Sequence, residues 1–156
     1  MIALFLTNFL QYQSLLSRVK QLSLSLKKTI KMKTFKKYYK LNASPTDVYN
    51  AMTNPMMIEI WTGEPVVMST EPGSDFSIWD GAINGKNVEF ILDKLIVQHW
   101  FFDEEEDSVV TIKLFPDKAG TNVELHQTNI PDEAYENMVE GWDEEYFGNL
   151  AQLFEV

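Results

Sequence analysis

The chain has 156 residues, 45% apolar and 13% aromatic, which is enough for one core and too few for two ordinary domains. It has no cysteine and two histidines, so disulfides, thiolate metal sites and a thiol nucleophile are excluded, and no metal or cofactor is expected. The first 46 residues carry nine Lys/Arg and no acid while the rest carries four Lys and all 23 Asp/Glu; so acidic a body repels phosphate backbones, and no nucleic-acid partner is expected.

Residues 1–10 are apolar, but Asn8 and Gln11 interrupt the run well short of the roughly 18 to 20 residues that span a bilayer, so no stable membrane insertion is expected. No basic region precedes the run and no small-x-small site follows closely, which argues against a secretory signal. Leu15, Val19, Leu22, Leu26 and Ile30 recur at helical spacing, with Arg18, Lys20, Lys27, Lys28 and Lys31 elsewhere on the wheel, a pattern that suits a basic amphipathic, interfacial or targeting helix. The alternative, which we favour, is an extension upstream of a working start at Met32, because regular strand patterning begins just after it. Residues 1–31 are therefore read as a basic extension, and residues 32–156 as one domain of a cytoplasmic protein.

Within that domain, residues 35–41 read as a short strand. Ser44-Pro45-Thr46-Asp47 is a helix-start signal, with Ser44 as cap and Pro45 at the first helical position, and Asn54-Pro55 restarts a second short helix ending near Trp61-Thr62-Gly63. From Pro65 onward the spacing predicts hairpins, with strands at 66–69, 75–80, 87–93, 95–102, 108–115 and 121–129, separated by stretches rich in turn formers or charge. Sequential pairing makes an antiparallel meander. Pro131-Asp132-Glu133 opens a long helix to about Phe154, with Tyr135, Met138, Trp142, Tyr146, Leu150 and Phe154 forming one apolar stripe. The concave face of the sheet is the cover that stripe needs. The fold class is therefore α+β: a helix-grip, in which a curved antiparallel sheet of about six or seven strands wraps a long C-terminal helix, with two short helices after the first strand. A gap between sheet and helix would make a ligand cavity.

Several blocks carry a family resemblance. Trp61-Thr62-Gly63, the run from Phe76-Ser77-Ile78-Trp79-Asp80-Gly81 to Asn87-Val88-Glu89-Phe90, Lys94-Leu95-Ile96-Val97-Gln98-His99-Trp100, Gly120-Thr121 to Gln127-Thr128, and Ile130-Pro131 with Gly141-Trp142 resemble, in order, the activator of heat-shock protein 90 ATPase homologue-like family. The resemblance spans about 120 residues. It implies the helix-grip fold of the START-like (SRPBCC) superfamily and two functions. One is the holding of lipids or other apolar molecules between sheet and helix, as the superfamily does. The other is co-chaperone action in stress response, for which eukaryotic activators add a separate N-terminal domain; no counterpart of that domain is expected within these 156 residues.

Period-two alternation puts Ile96, Gln98 and Trp100 on one face, with Val110, Ile112 and Leu114 and then Val123, Leu125 and Gln127 on the corresponding faces of the next two strands. If these faces are concave, Gln98 and Gln127 need partners: each other, water or a polar group on a ligand. The candidate ligand-binding residues are Trp61, Phe76, Ile78, Phe90, Ile96, Gln98, Trp100, Ile112, Leu125, Gln127, Met138, Trp142 and Tyr146. His99 and His126 fall on the opposite face, and no hydroxyl, base and acid converge in any motif, so no catalytic residue is assigned and the protein is read as non-enzymatic. The acidic run 103–107 lacks the alternating ligands and glycine of an EF-hand loop and reads as a solvated turn. The first functional reading is a binding domain for a small apolar or amphipathic ligand; the alternative is a module that modulates a heat-shock protein 90 class ATPase. A monomer is favoured.

Overall fold

A computed structural model describes residues 2–27, 31–103 and 106–155. The chain divides into two compact units, Met1–Lys31 and Met32–Val156. The first contains one helix, α1 (Ile2–Lys27), on which Leu15, Val19, Leu22, Arg18 and Lys20 are all exposed. Lys28 and Ile30 of the expected amphipathic pattern lie outside the described residues. Among the described residues no helix is long and apolar enough to cross a membrane.

The second unit opens with β1 (Met32–Leu41), followed by α2 (Pro45–Thr53) and α3 (Pro55–Thr62). The two short helices start as their sequences dictate. The Asp47 backbone N–H donates to Ser44 Oγ at 3.2 Å, the Met56 N–H donates to Asn54 Oδ1 at 3.0 Å, and a proline follows each cap. α3 ends at Gly63, whose φ of 74° closes the helix in the left-handed region.

Five strands follow, β2 (Asp75–Ile78), β3 (Ile83–Ile91), β4 (Leu95–Trp100), β5 (Ser108–Asp117) and β6 (Gly120–Pro131). They form an antiparallel meander, and β1 adds to its far edge against β6, giving the order β1-β6-β5-β4-β3-β2. Six strands are present among the described residues. The 66–69 stretch makes only a single bridge, Val67 with Ser77, because Pro65 and Pro72 confine it. The turn expected at 81–85 is displaced: the chain reverses at residues 79–82, and β3 begins at Ile83. Gly85 lies opposite Trp100, and a Cβ there would overlap the His99 carbonyl, so the close approach of β3 to β4 requires glycine. A bulge between Asn87 and Glu89 resets the alternation, and this brings Phe90 rather than Glu89 against the core.

The C-terminal helix is not continuous α-helix. α4 (Asp132–Glu140) passes into a π-helical turn, Gly141–Tyr146, in which the Phe147 N–H donates to the carbonyl of Trp142, and α5 (Phe147–Leu153) completes it. The wider turn inserts a residue into the α-helical spacing. Phe147 therefore joins Trp142, Tyr146 and Leu150 in the core, while Tyr135, Met138 and Phe154, the outer members of the expected stripe, are only partly buried.

Candidate functional site

The concave face expected from alternation is the buried face. Ile96, Gln98, Trp100, Val110, Ile112, Leu114, Val123, Leu125 and Gln127 are each 4% exposed or less. At the centre of the grip, the Trp100 and Trp142 rings stack with centroids 4.7 Å apart, which fills the space between sheet and helix. Each indole N–H donates to one glutamine: Trp100 Nε1 to Gln98 Oε1 at 3.1 Å, and Trp142 Nε1 to Gln127 Oε1 at 2.7 Å.

The amide groups are occupied as well. Gln98 Nε2 donates to Asn87 Oδ1 at 2.9 Å, and Asn87 in turn donates to the Ser69 carbonyl and Ser74 Oγ. Gln127 Nε2 donates to Ser108 Oγ at 3.0 Å, and that hydroxyl donates to the Thr128 carbonyl. The glutamines do not pair with each other. Each is held by a tryptophan, and each has its buried hydrogen-bonding capacity met within the protein.

At one end of the grip the packing opens. A cleft of about 250 Å³ lies between the 79–82 turn and the π-helical turn, and Trp79, Ile83, Trp100, Met138, Trp142 and Tyr146 supply its apolar wall. Ala82, Asn137, Gly141 and Glu145 complete it. Of the candidate residues, Trp100, Met138, Trp142 and Tyr146 line this cleft. Trp61, Phe76, Ile78, Ile96, Ile112 and Leu125 are buried in the core, and Phe90 is half-buried against it. Trp61 Nε1 donates to the Ala51 carbonyl at 2.8 Å, tying α3 to α2.

Two backbone irregularities frame the cleft. Trp79 and Asp80 both have φ of 52°, a conformation that costs a non-glycine residue on the order of 1 to 3 kcal/mol. Edge-on packing of Trp79 against Trp61 and Tyr146, with centroids 5.9 and 6.3 Å apart, holds it there. On the opposite wall the π-helical turn sets Gly141, Glu145 and Tyr146 at the mouth. Tyr146 is 4% exposed, burial raises its hydroxyl's pKa well above the ordinary tyrosine value, and the hydroxyl makes no hydrogen bond among the described residues.

The family described as activator of Hsp90 ATPase homolog 1-like protein matches residues 42–155. The chain belongs to this family. Every residue lining the cleft, both buried glutamines and both stacked indoles lie inside the match, which begins just after β1. The activator of 90 kDa heat shock protein ATPase homolog of Dictyostelium discoideum is 32% identical over 126 residues, covering 78% of this chain and 33% of the relative. The chain spans about a third of the length of the curated relatives it matches. An HSP90 activator from Plasmodium falciparum aligns with TM-score 0.68 at 23% identity, covering 78% of this chain and 94% of that one. The solution structure of the Aha1 dimer from Colwellia psychrerythraea aligns with TM-score 0.71 at 16% identity, covering 80% and 97%. Both likenesses report the fold that this family member shares.

Sequence reasoning left Trp79, Ala82, Ile83, Asn137, Gly141 and Glu145 out of the site. The signal for Trp79 was the Trp-Asp-Gly sequence itself, a turn with a bulky residue in it. Glu145 stands three residues after Trp142 and seven after Met138, so α-helical spacing already puts it beside the apolar stripe, but a charged residue is not counted in such a stripe. His99 and His126 are half-exposed on the face away from the grip, and His99 Nδ1 lies 3.3 Å from Asp107. Of the acidic run 103–107, Glu104 and Glu105 lie outside the described residues.

Proposed function

We propose that residues 32–156 act as a protein-interaction module that modulates the ATPase of a heat-shock protein 90 class chaperone, as part of a cytoplasmic stress response. Family membership supplies the partner class. The observation that carries the choice is the filled interior: Trp100 and Trp142 occupy the middle of the grip, and Gln98 and Gln127 spend their hydrogen bonds on those indoles and on Asn87 and Ser108. An enclosed apolar cavity at that depth would need those groups to point at a guest. A binding role suits the site better than catalysis, and in this reading residues 1–31 are not required for it.

The second reading, a small apolar ligand, draws its support from the cleft at the end of the grip. That cleft is about 250 Å³, below the range of roughly 300 to 1,000 Å³ usual for small-molecule sites. Incubation of the full chain with the heat-shock protein 90 of its source organism tests the first reading. The expected result is co-purification and a changed rate of ATP turnover; unchanged turnover with no detectable complex refutes it.

A further inference from the structure

We propose that the cleft between the 79–82 turn and the π-helical turn is an anchor pocket for one large apolar side chain of a protein partner, flanked in the partner's sequence by a lysine or arginine. This deepens the interaction-module reading and rests on it. Three observations on the cleft converge.

The first is size. At about 250 Å³ the space suits one leucine, methionine or phenylalanine side chain, and it is too small for a long-chain lipid or a sterol. Anchors of this kind, inserted into a preformed aromatic-lined pocket, dominate many protein interfaces. The second is charge. Glu145 is the one charged residue among those lining the cleft; it is exposed, and its carboxylate has no cationic partner among the described residues. Asp80 is exposed beside Trp79 on the facing turn. The rim therefore favours a cation next to the apolar side chain.

The third is hydrogen bonding. Tyr146 lines the cleft and is only 4% exposed, and its hydroxyl makes no hydrogen bond to another described residue. The hydroxyl is not among the buried atoms left without a partner, so its oxygen remains open to solvent and free to donate, whereas the buried amides and the Trp100 and Trp142 indoles are paired within the protein. A peptide backbone carbonyl is the acceptor that an inserted segment would bring to it. The shape, the charge and the free donor together describe a short basic-apolar peptide segment rather than a fatty acid, whose carboxylate Glu145 would repel.

The test uses the full chain and four probe peptides, acetyl-Lys-Phe-Lys-amide, acetyl-Lys-Leu-Lys-amide, acetyl-Lys-Ser-Lys-amide and acetyl-Glu-Phe-Glu-amide, with decanoate as the lipid arm. Binding is read from the indole N–H signals of Trp79, Trp100 and Trp142 in nitrogen-15 correlation spectra. The expected result is saturable shifts of these indoles with the first two peptides only, weakened by salt. Ala82→Trp, at an exposed cleft position where added bulk does not enter the core, should lower the affinity about tenfold or more, and Glu145→Lys should lower it severalfold. Equal binding of the serine or glutamate peptides, tighter binding of decanoate, or no effect of Ala82→Trp overturns the proposal. The same variants are then assayed with the chaperone. Chaperone stimulation that survives Ala82→Trp leaves the proposed function standing and removes the cleft from it; peptide binding without any chaperone complex does the reverse.

Discussion

The centre of the grip and its open end are built around the same two indoles and behave in opposite ways. In the centre, Trp100 and Trp142 stack on one another and give their N–H groups to Gln98 and Gln127, whose remaining donors go to Asn87 and Ser108. At the end, the same tryptophans wall a cleft in which the Tyr146 hydroxyl and the Glu145 carboxylate have no partner among the described residues. A buried polar group with its bonds met within the chain specifies a unique packing, whereas one left without a partner at an accessible wall is available to something else. The difference separates a structural role for the glutamines from a binding role for the cleft.

Removing the shared wall should break both regions at once, and this is the largest expected effect. Trp142→Ala deletes a side chain 2% exposed, leaves Gln127 Oε1 without its donor and opens the stack against Trp100. A loss of about 3 to 5 kcal/mol is expected in urea-induced unfolding. A loss under about 1 kcal/mol would mean that the stacked pair does not fill the grip.

Gln127→Leu sharpens the comparison, because it is close to isosteric but strands the Trp142 N–H and one bond of Ser108. The expected cost is about 1 to 3 kcal/mol. Combining it with Trp142→Phe should recover part of that loss, since no unpaired donor then remains, and the double-mutant cycle reads the coupling directly. If Gln127→Leu is neutral, the amide is not a fixed part of the interior, and the case for a filled grip weakens.

Much of this was legible in the sequence, and the rest has identifiable causes. Alternation alone placed Gln98, Trp100 and Gln127 on the buried face, because period two survives wherever one face of a sheet is covered. Ser44-Pro45 and Asn54-Pro55 marked both short helices through local capping chemistry that needs no tertiary information. What could not be read were features set by a single inserted residue. The bulge before Glu89 and the π-helical turn at Gly141–Tyr146 each shift the period downstream, which keeps Glu89 off the core and turns Phe147 inward. The partners of the glutamines were also out of reach, since strand and helix had to be docked before Trp142 could meet Gln127.

The smallest expected effect concerns the outer side of the same π-helical turn. There Asp143 accepts from Lys37 Nζ at 2.6 Å and from Tyr39 Oη at 2.7 Å, fastening β1 to the helix that forms one wall of the cleft. Partial burial pushes the Asp143 carboxyl upward, but the hydrogen bonds from Lys37 and Tyr39 outweigh it and leave its pKa below the ordinary aspartate value. With the folded pKa depressed, the native state holds this proton less readily than the unfolded chain, so the stabilisation is present above the ordinary aspartate range and is lost as pH falls through the depressed value. Lys37 and Asp143 are 43% and 34% exposed, so solvent screening limits the effect, and Asp143→Asn should cost about 1 kcal/mol or less at pH 7. Unfolding of wild type and variant compared from pH 7 down to pH 3 should show the gap closing below about pH 4. A gap that stays constant over that range would mean that the carboxylate positions the turn by shape rather than by charge. In that case Asp143→Asn should leave the cleft unaltered, and peptide shifts at the Trp79 indole would be the same in both proteins.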